Sequence, residues 1–225
     1  MISFIVPTHN YGTYLKKCIF SILKNNQKFV KEIIIVNDAS TDKTKNIYFK
    51  NFKKFKKKKY FEKNFNSLTK SVNFGIKRSK SQWISKVDAD DWVSSRYAYH
   101  YYNFLKKDNF DFVYSDLIIV NNKNKNSRIK KQKIEGITRF LKYPVGSGTI
   151  FKKKLWSRVG GFDENLFYQD DYDFWLKINK LNYIKIGYLE KQLYYYRFHN
   201  SNMSKNIVKK NIAKIFLIFK NFLKL

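Results

Sequence analysis

The sequence predicts an α/β fold, in which a mixed, mostly parallel central sheet is flanked by helices. Short apolar runs recur along the chain, each ended by turn or acidic residues, and amphipathic stretches separate them. With 225 residues, of which 44% are hydrophobic, the chain is long enough for one domain with a buried core. We place this domain at residues 1–204 and a separate C-terminal helix at residues 205–225.

The first elements predict a strand, a helix and a parallel strand. Ile2–Val6 is an apolar run stopped by a proline, and Lys31–Val36 is a second run stopped by Asn-Asp. Between them, apolar residues recur at three- and four-residue spacing over residues 14–23, as on one face of a helix. Strands joined by such a crossover helix lie parallel in one sheet.

The alternation continues and then loosens. A helix over Ser67–Arg78 leads to a strand over Gln82–Val87, and the lysine-rich Lys53–Lys59 predicts a solvated turn between a helix and an edge strand. The later predictions are a helix near Ser94–Lys106, short strands near Asp111–Val120, a basic loop over Asn121–Lys133, helices over Gly136–Lys142 and Asp170–Asn179, and short strands over Tyr183–Ile186 and Gln192–Arg197.

Composition excludes several classes of protein. The single cysteine, Cys18, forms no internal disulfide, and neither a signal peptide nor a run of ~18 apolar residues is present, so we expect a cytoplasmic protein. The net charge is +29, but only six of the 46 basic residues are arginine, the side chain best suited to phosphates and base edges. We therefore expect no specific nucleic-acid partner, and the alternatives are a solvated basic surface or attraction to anionic lipid.

The clearest functional signal is the position of the acidic residues. There are only seventeen, and six of them lie in two tetrapeptides, Asp88–Asp91 and Asp170–Asp173. Like charges packed this closely cost stability unless a cation neutralises them. The first tetrapeptide follows a strand end, where open α/β sheets bind ligands, and carboxylate oxygens suit Mn²⁺ or Mg²⁺. The pattern therefore predicts a divalent-cation site.

Five motifs, in order along the chain, resemble the inverting glycosyltransferases of family 2, which have the GT-A fold and use nucleotide sugars. The motifs are FIVPTHNYGTYLKKCIFSIL, EIIIVNDASTDKT, KVDADD, VGGFDENLF and DDYDFWLK, and the resemblance extends from Ser3 to about Ser204. It implies a Mn²⁺- or Mg²⁺-dependent enzyme. Such an enzyme would move a sugar from a nucleotide-diphosphate donor to a hydroxyl of a glycan or lipid-linked acceptor.

The resemblance also implies roles for individual residues. Asp171 would be the general base that deprotonates the acceptor hydroxyl as it attacks the anomeric carbon from the face opposite the diphosphate. Asp90 and His199 would be metal ligands. The residues implied to contact the donor are Pro7, Thr8, Asn10, Asp38, Asn73, Asp88 and Ala89.

Several of these roles have open alternatives. Asp38 is also placed to cap a helix beginning near Thr41. Asp170 stands where the family has Glu and is the alternative to Asp171 as the base, and His199 is alternatively an ordinary loop histidine. Two further acids are expected to be structural, Asp91 and Asp173. For the whole protein, the alternatives are a catalytically inactive nucleotide- or glycan-binding protein of the same fold and a basic nucleic-acid-binding protein.

Residues 207–225 predict a basic amphipathic helix. One face would carry Ile212, Ile215, Phe216, Phe219, Phe222 and Leu223, with Lys210, Lys214, Asn221 and Lys224 largely opposite. Such a helix either lies in a membrane interface, which would make the enzyme peripheral at the inner face of the plasma membrane, or packs on the domain or a second subunit. An anionic membrane surface is accordingly a candidate partner.

Overall fold

A computed structural model describes residues 1–121, 127–134, 142–144, 146, 148–200, 202 and 205–222. Strands and helices alternate through the first half of this described part. The elements are β1 (Ile2–Thr8), α1 (Gly12–Leu23), β2 (Val30–Asp38), α2 (Thr44–Phe52), β3 (Lys58–Lys63), α3 (Leu68–Arg78), β4 (Trp83–Lys86), β5 (Trp92–Val93), α4 (Tyr97–Leu105), β6 (Phe112–Asn121), β7 (Ser127–Lys130), β8 (Thr149–Lys152), α5 (Lys153–Arg158), α6 (Asp170–Asn179), β9 (Ile186–Phe198) and α7 (Ile207–Phe222).

These strands form one sheet with the order β3-β2-β1-β4-β8-β6-β9-β5, and β7 pairs with β6 at its side. Strands β3, β2, β1 and β4 are parallel to one another, and β6 and β9 are parallel to each other. Strand β8 is antiparallel to both β4 and β6, and joins the two parallel parts. The predicted mixed, mostly parallel sheet with flanking helices is confirmed.

Apolar side chains cover both faces of β1 and β2, which explains their nearly continuous hydrophobic sequence. Phe4 and Val6 belong to one core cluster with α1, whereas Ile5 belongs to a second cluster with α3 and α6. Helix α3 lies close to the sheet because Gly75 has no side chain: a Cβ there would lie 2.6 Å from Ile5 Cγ2. The carboxyl ends of β1, β2 and β4 therefore meet at one edge of a well-packed sheet.

Several predicted boundaries in the second half are wrong. Of the two strands predicted over Tyr183–Ile186 and Gln192–Arg197, the first overlaps the long strand β9 only at Ile186. The second lies inside β9, and the short strands predicted near Asp111–Val120 form one strand, β6. The two strands pair with each other over most of their length, with register shifts beside Asp116, so each stabilises the other. The predicted basic loop contains β7, and the helix predicted at Gly136–Lys142 lies, apart from its last residue, outside the described residues.

Helix α7 has an inner and an outer face. Its Leu217 is fully buried in the second core cluster, and Ile218 packs against the same cluster. Its outer face leaves six apolar side chains exposed, and the side chains of Phe222 and Leu223 lie outside those described. Across the described ranges, no helix combines the length and apolar composition needed to span a bilayer.

Candidate active site

The two acidic tetrapeptides meet around one buried lysine. Lys86 ends β4, and its side chain is only 4% exposed. Its Nζ lies 3.4 Å from Asp88 Oδ1, 3.7 Å from Asp170 Oδ2 and 3.5 Å from Asp171 Oδ1. The sequence led us to expect that a divalent cation neutralises these acids. The ammonium group of Lys86 supplies a neutralising charge from the chain itself.

Local structure brings the second tetrapeptide to this point. Gln169 adopts a left-handed conformation, with φ of 65°, and directly precedes α6. The first turn of α6 then contains Asp170, Asp171 and Asp173. Carboxylates are favoured there because the helix dipole and the free N–H groups of the first turn are positive. The helix terminus and Lys86 together offset the repulsion among these acids.

The environment of Asp171 raises the pKa of its carboxyl group to about 7. Burial is the largest cause, and the ammonium of Lys86 opposes it; the neighbouring carboxylates of Asp170 and Asp88 raise the pKa further. A backbone N–H of Gly146 donates to Asp171 Oδ2 at 3.2 Å and lowers the pKa. A carboxyl group with a pKa near neutrality accepts and releases protons at physiological pH, as a general base must.

Gly146 touches the carboxylate so closely that no side chain fits. A Cβ at this position would lie 2.0 Å from Asp171 Oδ1. Such a distance is far inside van der Waals contact, so either the loop or Asp171 would have to move. Glycine at this position therefore fixes both the position and the hydrogen bonding of the carboxylate.

A chain of hydrogen bonds connects this region to α7. The hydroxyl of Tyr143 donates to Gln169 Oε1 at 2.6 Å, and Gln169 Nε2 donates to the carbonyl of Lys210 at 3.1 Å. Gln169 is buried, and its two contacts hold the start of α6 between the segment around Tyr143 and the helix α7. The position of Asp171 therefore depends on contacts that come from three parts of the chain.

The two predicted metal ligands also lie together. Asp90 Oδ2 and His199 Nε2 are 2.9 Å apart, and both residues are buried. The His199 ring stacks on Tyr14 with a centroid distance of 5.1 Å, and Arg197 Nε donates to the carbonyl of Asp90 at 2.7 Å. Burial and the nearby carboxylate of Asp90 raise the pKa of Tyr11, so its phenol stays protonated. Within the residues that the structure describes, no three His, Cys, Asp or Glu side chains form a metal-binding cluster.

The acids expected to be structural have contacts of that kind. Asp91 is buried and accepts hydrogen bonds from the Tyr194 hydroxyl and the Arg197 N–H, both at 2.7 Å. Burial raises its pKa well above the usual range. Asp173 Oδ2 lies 2.6 Å from Lys177 Nζ, one helical turn along α6. Asp91 therefore joins the first acidic motif to β9, whereas Asp173 pairs within its own helix.

Asp38 holds a different helix from the one considered in the sequence. Its two carboxylate oxygens accept from the backbone N–H groups of residues 65, 66 and 67 and from the Ser71 hydroxyl, at 2.6 to 3.0 Å. These donors lie in the segment that leads into α3 and in the first turn of that helix. The capping alternative near Thr41 is wrong, because Asp42 occupies that place and accepts from the Thr44 N–H at 2.9 Å.

The other residues that were expected to contact the nucleotide-sugar donor differ in whether their polar groups already form hydrogen bonds within the protein. Asn10 Oδ1 accepts from the N–H groups of Thr41 and Asp42, at 2.8 and 3.2 Å. Thr8 is buried at the end of β1, and its hydroxyl has no hydrogen-bond partner among the described residues. Ala89 is buried between the aspartates, and Pro7 lies within β1. Within the described part of the chain, the Thr8 hydroxyl is thus a buried, unsatisfied group at the end of β1.

Asn73 does not join this group. Its Nδ2 donates to the Phe162 carbonyl at 2.9 Å and to Glu164 Oε1 at 3.0 Å. Its Oδ1 accepts from Trp156 Nε1 at 3.1 Å and from the Phe162 N–H at 3.2 Å. The amide is saturated by these contacts, which connect α3 to the segment after α5.

Sequence reasoning missed three residues of the site. Lys86 had a signal, because it is an isolated lysine in a strand that otherwise reads as buried. Gly146 had only a weak one, a glycine in a loop. Gln169 had none, since its importance comes from partners 26 and 41 residues away in sequence.

An open α/β sheet with carboxylates gathered at the ends of its parallel strands defines a ligand-binding protein of the nucleotide-binding α/β class. The profile of Glycosyl transferase family 2 matches residues 3–173, and the chain belongs to this family. The predicted family is therefore confirmed.

Individual relatives agree with this assignment. The chain is 31% identical over 193 residues to an uncharacterized glycosyltransferase of Rickettsia typhi, covering 81% of this chain and 59% of that protein. It is 31% identical over 170 residues to the poly(ribitol-phosphate) beta-N-acetylglucosaminyltransferase TarP of Staphylococcus aureus, covering 74% and 46%. The chain spans between 36% and 60% of the length of the first four relatives.

Solved structures agree on the fold. Residues 1–349 of S. aureus TarS in complex with UDP-GlcNAc superpose with a TM-score of 0.79 at 20% identity, covering 99% of this chain and 66% of that one. The same fragment without this ligand gives a TM-score of 0.77. The predicted GT-A fold is confirmed.

Proposed function

We propose that the protein is a metal-dependent inverting glycosyltransferase that moves one sugar from a nucleotide-diphosphate donor to a hydroxyl of a glycan or lipid-linked acceptor. The observation that supports this proposal most strongly is the position of the Asp171 carboxyl group, whose pKa, raised by burial to about 7, also suits a general base. It lies at Lys86 together with Asp88 of the first acidic motif. Family membership, a UDP-GlcNAc complex among the similar structures and the name of TarP support the class of donor.

In the proposed reaction, Asp171 removes the proton of the acceptor hydroxyl. The acceptor oxygen forms a bond to the anomeric carbon while the bond from that carbon to the diphosphate oxygen breaks on the opposite face. The electron pair of the broken bond stays on the diphosphate, and a single displacement inverts the configuration. Gly146 holds the base in position, and Lys86 keeps enough of it deprotonated at neutral pH to act.

Asp90 and His199 fit a divalent cation, Mn²⁺ or Mg²⁺. They offer one carboxylate oxygen and one imidazole nitrogen 2.9 Å apart, and such cations commonly take one or two protein carboxylates with water and substrate phosphates as the remaining ligands. When bound, the cation would stabilise negative charge on the departing diphosphate. The stacking of His199 on Tyr14 and the bond from Arg197 to the Asp90 backbone hold both ligands in place.

The ends of β1, β2 and β4 are the proposed donor site. Thr8 offers a buried hydroxyl with no partner among the described residues, which a nucleoside would satisfy. Pro7, Asp88 and Ala89 lie at the same sheet edge, and Asn10 and Asp38 shape the loops around it. The proposed contacts do not include Asn73, because its amide is already saturated.

The proposal is tested by mixing the protein with a panel of UDP, GDP and dTDP sugars and measuring release of the nucleoside diphosphate, with water as the acceptor. We expect release from at least one donor with Mn²⁺ or Mg²⁺, and loss of release with EDTA that added metal restores. Calorimetry on the same panel is the second measurement. Donor binding without turnover, under all metal conditions, would contradict the proposal and favour a binding protein of the same fold.

A further inference from the structure

Helix α7 is fixed to the domain by one face only. On that face Leu217 is buried and Ile218 packs against the second core cluster. The carbonyl of Lys210 accepts from Gln169, and Lys220 Nζ lies 3.4 Å from Asp163 Oδ2. These contacts hold the helix along the domain, so its opposite face points away from the core.

The opposite face is apolar and exposed. Its six large side chains are between 55% and 69% exposed: Ile207, Val208, Ile212, Ile215, Phe216 and Phe219. They recur at spacings of one, three and four residues, which places them in one continuous stripe along about three and a half turns of helix. Exposed apolar residues scattered singly need no explanation, but a contiguous stripe indicates an interaction surface.

Charge identifies the partner. Lys209 is exposed within α7 and Lys205 is exposed two residues before the helix begins, and the whole chain has a net charge of +29. A second copy would bring the same positive charge to the interface and be repelled. The interface of an anionic bilayer is compatible with both the apolar stripe and the positive charge. Its acyl region can bury the apolar side chains, and its headgroups attract the lysines.

We propose that the outer face of α7 docks on an anionic membrane surface, lying in the plane of the interface while its inner face stays on the domain. This inference goes beyond the proposed function and does not depend on it. Because Gln169 joins α7 to the start of α6, docking would hold the candidate active site at a fixed place relative to the lipid surface.

The test is co-sedimentation of the full chain with vesicles of phosphatidylcholine alone or mixed with phosphatidylglycerol. We expect binding to the anionic vesicles, and a decrease of about tenfold or more in the partition coefficient of an Ile212→Ser/Phe216→Ser variant. The matched control is Phe49→Ser/Phe55→Ser, which removes two exposed rings from another part of the surface and should bind as wild type does. Circular dichroism checks that each variant is folded.

A second pair of variants distinguishes the effect of the lysines near α7 on membrane binding from the effect of the net charge of the whole protein. Lys205→Glu/Lys209→Glu should weaken binding to anionic vesicles much more than Lys53→Glu/Lys54→Glu, although both change the net charge equally. Equal losses in the two pairs would overturn the proposal, since non-specific attraction would then explain binding. So would unchanged binding of the Ile212→Ser/Phe216→Ser variant. A lipid-free dimer that this variant abolishes would also overturn it, because a second copy would then cover the face.

Discussion

Replacing Lys86 with methionine should destabilise the protein in a way that depends on pH. The ammonium lies 3.4 to 3.7 Å from three carboxylates and is buried, and their attraction raises its pKa well above the usual value. At an effective dielectric constant of about 20, one such contact contributes about 5 kcal/mol of Coulomb energy, which the desolvation of both ions largely offsets. Removing one partner of a buried ion pair typically costs about 3–5 kcal/mol, and we expect that loss near pH 8.

The decrease in the free energy of unfolding caused by Lys86→Met should be smaller near pH 5.5 than near pH 8, by about 1–2 kcal/mol. The pKa of Asp171 is raised in the folded protein to about 7, against 3.8 for an unperturbed aspartate, so the folded state takes up a proton as the pH falls through that value. Once Asp171 is neutral, one of the three attractions of Lys86 is gone. In the variant the pKa of Asp171 should rise further, so its stability falls more steeply as the pH increases.

Urea unfolding followed by tryptophan fluorescence at the two pH values measures this difference. The matched control is Lys45→Met, which breaks an exposed ion pair with Glu62 and should change the free energy of unfolding by less than about 1 kcal/mol at both. A Lys86→Met loss below about 1 kcal/mol, or one equal at both pH values, would refute the electrostatic role given to Lys86.

Three further predictions concern activity. Donor turnover should decrease with unit slope below about pH 7, because Asp171 must be deprotonated to act; a rate that stays constant down to about pH 5 would contradict this. Gly146→Ala places a methyl group 2.0 Å from Asp171 Oδ1, so kcat should fall about a hundredfold while the donor Kd changes less than about threefold; kcat within about twofold of wild type would refute this account. His199→Ala should raise the Mn²⁺ concentration for half-maximal activity at least about tenfold, whereas the control His100→Ala should not; equal metal dependence would exclude His199 as a ligand.

Local periodicity predicted the first half of the fold well. Strands β1 and β2 are buried on both faces, so each appears as a nearly continuous apolar run, and α1 shows its buried stripe directly in the sequence. Each of these elements can be recognised from its own residues. The second half could not be predicted in this way, because β6 and β9 continue through polar residues that only their mutual pairing places in strands.

The candidate site was predictable in part. The acidic motifs were evident from composition, and Asp90 and His199 do lie together across 109 residues of sequence. The meeting of the two acidic motifs at Lys86 depends on tertiary contacts that no local pattern encodes, and so does the hydrogen bonding of Asn73. Asp38 shows the same limit: its position after β2 was evident, but the helix that it holds was not.

The most direct test of the account compares Asp171→Asn with Asp170→Asn in the donor-turnover assay. Both carboxylates lie near Lys86, and both changes remove one negative charge, but only Asp171 also accepts the Gly146 N–H. We predict that Asp171→Asn lowers kcat about 10²- to 10⁴-fold with the donor Kd within about threefold of wild type, and that Asp170→Asn lowers kcat less than about tenfold. An Asp171→Asn enzyme with the wild-type rate, or one no slower than Asp170→Asn, would contradict the account.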